Sequence, residues 1–248
     1  MSWKANLDRD RKAFLMHQSE VYGNFRSYMR SNDPIVRCPE LDAHTSGYVL
    51  AMRFDSALTD VVADQSNRIS TAIDCVRYSA SNIHSTITEY DRREGPKDKL
   101  DLKKAAAVAD TLRESFMRFR PVINFQEWLT NQSSVILAGE ASPEFTEGVS
   151  SLLRAAGRQG LDLRWPWGSH ITVARFCRSA TSAETREHIM SAITSVPPPG
   201  AVWPVRVEVC YYEFGACSYR IKPLETLMWE KVLSDIISFA DSDVTALL

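Results

Sequence analysis

Apolar positions along the chain recur at a helical period in some segments and alternate in others, and these changes of period divide it into elements. Residues 9–31, RDRKAFLMHQSEVYGNFRSYMRS, carry Phe14, Val21 and Phe25 on a partial apolar stripe and predict a helix. Two prolines in SNDPIVRCPELDAH break that pattern. GYVLAMRF, 47–54, reads as a buried strand, with a helix predicted over about 57–78. In SNIHSTITEY, strand parity puts His84, Thr86, Thr88 and Tyr90 on one face and Ile83, Ser85 and Ile87 on the other. Leu102, Ala105, Ala109, Leu112, Phe116 and Phe119 then mark an amphipathic helix that leads into a strand, VINFQEWL. WPWGSHITVARF, 165–176, is a turn followed by a strand, with His170, Thr172 and Ala174 on one side and Ile171 and Val173 on the other. TSAETREHIMSAITSV is a helix opened by a capping box at Thr181 and Glu184 and stopped at Pro197. The strands VRVEVCYYEF and CSYRIKPL follow, joined by a hairpin turn at Gly215-Ala216, and a last helix is predicted at about 225–240.

Two of these strands carry the same His-x-Thr spacing, with the histidines 86 residues apart. Sliding the chain on itself by that offset lays YVLAM (48–52) on SVILA (134–138), each followed by a helix and then the His-x-Thr strand. A duplicated lobe is the expectation. Residues 1–45 lie outside the repeat as an N-terminal helical extension, and 46–248 form the repeated domain.

With 44% apolar residues in 248, the chain can build a large core. A net charge of -2 excludes a global basic field for sequence-independent duplex binding, so a nucleic-acid substrate would need a local site. Five cysteines form no CxxC pair and are odd in number, which predicts reduced thiols in a cytosol-like compartment. No run of 18 apolar residues and no signal-peptide core occurs, so a cytoplasmic monomer without membrane contact is expected.

Two imidazoles on facing lobes suit phosphodiester cleavage near neutral pH, one taking a proton from the nucleophile and the other giving one to the leaving oxygen. The threonine two residues on can donate to a non-bridging phosphate oxygen. HSTI (84–87) and HITV (170–173), the latter continuing as HITVAR to Arg175, resemble the two motifs of the 2H phosphoesterase superfamily over about residues 46–222. Two positions depart from the pattern: Ser85 stands where relatives usually have an apolar residue, and the proline that often precedes the second histidine is displaced to Pro166. The resemblance implies an α+β fold of two pseudo-symmetric lobes, antiparallel sheets with helices outside, around a central cleft. It implies a phosphodiesterase without metal or other cofactor, with His84 and His170 as the acid/base pair and Thr86 and Thr172 binding phosphate. The substrate it implies is a nucleotide or short RNA end, a 2′,3′-cyclic phosphate first. Alternatives in the same fold are a 2′,5′-linkage ligase or phosphodiesterase and a non-catalytic nucleotide- or RNA-binding protein.

Either histidine alone could be structural, and the threonines could merely favour a β conformation. His84, His170 and His188 lack the spacing of a metal site. His17, His44 and His188 look ordinary. Parity points Arg175 away from the cleft, towards a salt bridge or lobe packing. Tyr90 shares the face of His84 and is a candidate for lining the cleft. Trp167, like Trp165, could stack on a base or fill the core. The N-terminal 45 residues, with Lys12, Arg26 and Arg30 on their helix, could cap a lobe or dock on a partner.

Overall fold

A computed structural model describes residues 3–97 and 99–229, without the side chains of 3–6. The chain opens with α1 (Trp3–Arg30) and the short α2 (Pro39–Asp42). A first unit follows: β1 (Ser46–Arg53), α3 (Ser56–Ser70), β2 (Cys75–Arg77) and β3 (Ser85–Arg93). Then α4 (Leu102–Ser115) leads to β4 (Ile123–Thr130). A second unit comprises β5 (Ser134–Ala141), α5 (Pro143–Arg158) and β6 (Ser169–Phe176). The remaining elements are α6 (Ala183–Thr194), β7 (Gly200–Val202), β8 (Arg206–Gly215) and β9 (Ser218–Met228).

The strands form one antiparallel sheet in the order β7-β4-β5-β6-β3-β1-β8-β9, with β2 on the end of β6. Between β6 and β3 the only register pair is Ser85 with Ile171, so the sheet divides there into two lobes. Every residue of β1 is buried, as a strand covered on both faces requires, which is why it reads as a run and not as an alternation. The lobes are not completed by their own units. β4, reached through α4 from the first unit, pairs with β5, whereas β8 returns from the second unit to pair with β1. This exchange joins the lobes into one large apolar cluster running from Phe14 to Trp229.

Several boundaries differ from the sequence pattern. α3 stops at Ser70, where Thr71 caps it through its N–H to Arg68 and Ile69, and Cys75–Arg77 becomes a strand because β6 offers a free edge there. Ser182, not Thr181, caps α6, accepting from the Thr185 N–H. β9 runs to Met228 through positions predicted to begin the last helix, because β8 gives it a partner over its whole length. The rest of that helix lies outside the described residues. The two units can be laid on each other at a slightly different offset from that of the histidines. Thr86 faces Ala51 and Thr172 faces Ile136, so β1 and β5 correspond at one residue less than the offset of the histidines, and Met52 matches Leu137.

One cysteine expectation is corrected. Cys177, just past β6, and Cys217, in the β8–β9 turn, form a disulfide with Cα atoms 5.3 Å apart. Cys38, Cys75 and Cys210 are free and buried. Tertiary approach of two turns makes this pair, and no sequence spacing announces it. The bond closes a loop of sequence separation 40, which on chain-entropy grounds limits the unfolded state by about 4 kcal/mol. Cys217→Ser is therefore expected to lower the unfolding midpoint in denaturant under oxidising conditions, and an unchanged midpoint would show that the bond contributes nothing.

Candidate active site

The two motifs meet at the seam between the lobes. His84 immediately precedes β3 and His170 is the second residue of β6, and both line one cleft together with Thr86 and Thr172. The backbone treats the two rings alike. His84 Nδ1 lies 2.8 Å from the carbonyl oxygen of Asn82, and His170 Nδ1 lies 3.2 Å from that of Gly168, two residues upstream in each case. A carbonyl oxygen can only accept, so each Nδ1 carries the proton, leaving Nε2 as the ring nitrogen available to a ligand.

Both rings are held neutral. Burial is the main cause for each, lowering the pKa of His84 to about 4 and that of His170 to about 3. Arg53 and Arg175 add to it for His84, and Arg175 and His84 for His170. In an unfolded chain these groups would titrate near 6.5. The folded values are depressed, so the stability they contribute is fully present above about pH 6.5 and is lost as pH falls towards 4 and then 3. Between about pH 6 and 4 the slope is about 2 kcal/mol per pH unit, because the unfolded chain binds up to two more protons. Denaturant titrations at pH 7 and pH 5 should show this loss in the wild type and much less of it in a His84→Asn, His170→Asn double variant. Parallel losses in the two proteins would contradict the assignment.

A bulge follows the threonine in both strands. One step along β1, from Ala51 to Leu50, spans two along β3, from Thr86 to Thr88. One step along β5, from Ile136 to Val135, likewise spans two along β6, from Thr172 to Ala174. The extra residue reverses parity beyond it. Glu89 and Arg175, each five positions after its histidine, consequently line the cleft, while Thr88 and Ala174 are fully buried. Two expectations are corrected by this bulge. Tyr90 faces away from the cleft, 2% exposed and stacked on Tyr48 at 4.8 Å between ring centroids. Arg175 turns into the cleft, although it also makes the salt bridge expected of it, 3.2 Å to Glu40.

Arg175 belongs to a chain of charges along one wall. Glu40 on α2 also meets Arg92 at 3.6 Å, and Arg92 meets Glu89 at 3.4 Å. Tyr78 accepts from Arg175 Nε at 3.2 Å, and Tyr212 donates to Glu89 at 3.2 Å. Burial works against the charge on Arg175, yet Tyr78, Glu40 and Cys38 hold its pKa well above the ordinary value. It is thus a fixed cation beside two neutral imidazoles. Tyr219, near the disulfide-tied tip of the β8–β9 hairpin, stacks on His84 at 6.1 Å. Sequence reasoning missed Glu40, Glu89 and Tyr219, since none sits in a motif and two depend on a bulge or a crossover.

Trp165 and Trp167 also line the cleft. Trp167 lies flat against His170, 3.6 Å between centroids, with Phe25 stacked at 6.3 Å and Tyr22 edge-on at 6.2 Å. Thr88 fastens the loop before these tryptophans, its hydroxyl donating to the Arg164 carbonyl at 2.5 Å and accepting from the Arg164 N–H at 3.0 Å. His44 occupies a turn at φ 46° ahead of β1. Among the described residues, no three His, Cys, Asp or Glu side chains are grouped to hold a metal ion, and no helix is long and apolar enough to cross a membrane.

Neither a protein-family model nor a curated protein sequence matches the chain. Solved structures do. E. coli LigT in its apo form aligns over 74% of this chain and 97% of its own, at 16% identity and a TM-score of 0.50. The crystal structure of a phosphoesterase aligns over 74% and 98% at 15% identity and a TM-score of 0.47. Usb1 of Kluyveromyces marxianus aligns over 73% and 98% at 11% identity and a TM-score of 0.34. The fold of this chain is similar to that of E. coli LigT.

Proposed function

We propose that the chain is a phosphodiesterase in which His84 and His170 serve as general base and general acid on a nucleotide or RNA end, with a 2′,3′-cyclic phosphate as the first substrate. The observation that carries this reading is the paired arrangement: two imidazoles in one cleft, each tethered through Nδ1 to a backbone carbonyl, each with a threonine two residues on. E. coli LigT has also been solved with 3′-AMP and with phosphate, the same class of ligand.

In this reaction one Nε2 takes a proton from water as its oxygen bonds to phosphorus, and the other imidazole, protonated, gives its proton to the ribose oxygen whose bond to phosphorus breaks. The product is a phosphate monoester on the remaining ribose oxygen. Thr86 and Thr172 donate to the non-bridging oxygens and Arg175 supplies a nearby positive charge. Neutral rings suit the base, and the acid is made when the substrate binds. A phosphodiester anion favours an imidazolium beside it, so binding draws in the proton that the acid later donates.

Incubation with 2′,3′-cyclic AMP, a 3′,5′-linked dinucleotide and a 2′,5′-linked dinucleotide, followed by phosphorus NMR, tests the reading. The cyclic phosphate should open fastest, to a single monoester, and Thr86→Val or Thr172→Val should cost about 10²-fold in kcat. Consumption of none of the three would overturn it.

A further inference from the structure

Although the two histidines have matching tethers, their backbones are held by different means. In the first lobe the supports are internal. The Ile83 N–H donates to the Ser79 carbonyl at 2.9 Å, and the Ile83 carbonyl accepts from Arg53 Nη1 at 2.8 Å. Arg53 stands at the end of β1, next to Met52, so its counterpart on β5 is Ala138, next to Leu137. Ala138 is 2% exposed and has no polar side-chain atom. Ala138 therefore cannot repeat the bond that Arg53 makes.

In the second lobe β5 pairs with Ser169 and His170 through Gly139 and Ala138, and two side-chain supports are added from α1. The Ser169 N–H donates to Gln18 Oε1 at 2.8 Å, and Tyr22 Oη donates to the Ser169 carbonyl at 2.8 Å. Tyr22 also meets the carbonyl of Gly139 at 3.2 Å. We propose that Gln18 and Tyr22 are positioning residues for His170, supplying from outside the repeat the support that Ser79 and Arg53 give His84 from within it. A continuous chain carries the effect: Gln18 accepts from one side of the Gly168–Ser169 peptide, and His170 Nδ1–H donates to the carbonyl on the other.

The surroundings fit such a role. Gln18 is 6% exposed and Tyr22 6% exposed, so neither bond competes with bulk water. Helix α1 approaches so closely that a Cβ on Gly168 would lie 3.2 Å from Tyr22 Oη and 3.4 Å from Gln18 Cγ. Tyr22, Phe25, Ile136 and Ala138 pack together beneath Trp167, the ring that lies on His170. A bidentate ion pair from Arg26 to Glu127, at 2.9 and 2.5 Å, fixes the helix to β4. Helix α1 thereby becomes part of the site, although it contributes no residue that lines the cleft.

This inference rests on the proposed phosphodiesterase reading for its kinetic consequence, but its structural consequence is independent of turnover. Nitrogen-15 NMR of the imidazoles would be recorded for the wild type, Tyr22→Phe, Gln18→Met, Gln18→Glu and, as a control on the same helix, Tyr28→Phe. Tyr22→Phe and Gln18→Met should move His170 away from a pure Nδ1–H tautomer and displace its titration, with His84 unchanged. Gln18→Glu, which keeps an acceptor, should preserve the tautomer, and Tyr28→Phe should change nothing. With 2′,3′-cyclic AMP, kcat should fall about 10-fold in the two affected variants while KM stays within about twofold. Folded Tyr22→Phe and Gln18→Met proteins with a wild-type His170 spectrum would overturn the proposal, whether or not their melting temperatures drop. If the wild type fails to open cyclic phosphates, the spectra still decide the positioning role and only the functional reading falls.

Discussion

Replacing either His84 or His170 with alanine is expected to lower kcat for a 2′,3′-cyclic nucleotide by about 10²- to 10⁴-fold, the range of one positioned proton-transfer group. The larger effect should fall on kcat, because Thr86, Thr172 and Arg175 still line the cleft and still meet the phosphate. Groups that act as a unit are not additive, so the double variant should be little worse than the poorer single one. Steady-state kinetics on all three proteins checks this. A product of the two single losses in the double variant would mean that the imidazoles act independently, contrary to the proposed exchange of protons across one phosphate.

The second large effect is expected at Arg53, directly behind His84. Its guanidinium bonds Glu208 at 2.7 Å, with side chains 4% and 5% exposed, and donates to the Ile83 carbonyl at 2.8 Å. Burial works against the ionised carboxylate of Glu208, but Arg206 and Arg53 hold its pKa below the usual value. Arg53→Met would leave that carboxylate with Arg206 alone and should cost about 3–5 kcal/mol of stability, the range for breaking a buried pair from one side. It would also remove a cation that disfavours charge on His84, so the pKa of His84 should rise from about 4. Urea unfolding and an NMR titration of His84 measure the two consequences separately. Unchanged stability would mean that Arg206 alone satisfies the Glu208 carboxylate and that Arg53 is not needed to hold it.

The motifs and the repeat were legible because they are local. Two His-x-Thr strands, each preceded by an apolar strand and a helix, need only strand parity and spacing to be recognised. Parity failed at the first irregularity. A single extra residue after each threonine sends Glu89 and Arg175 into the cleft and Tyr90 out of it, and neither HSTI nor HITV contains a glycine or proline to announce a bulge. Because the same bulge occurs in both strands, it is a property of the repeat, yet two aligned sequences with the same hidden defect look regular. The return of β8 to β1, the Cys177–Cys217 bond and the seat of α1 on the second lobe were illegible for another reason. Each depends on which distant segments meet, and residues such as Gln18 or Cys217 carry no local pattern that names their partner.

In the proposed reaction two histidines alone supply the proton transfers for opening a cyclic phosphate. The most direct test is turnover of 2′,3′-cyclic AMP by the wild-type chain in excess EDTA, with His84→Ala and His170→Ala proteins measured alongside. Steady formation of a single AMP monoester is expected, unaffected by EDTA and abolished or nearly so in both variants. Turnover that persists in either variant, or a folded wild type that neither opens the substrate nor shows a shift of its imidazole resonances with inorganic phosphate, would contradict it.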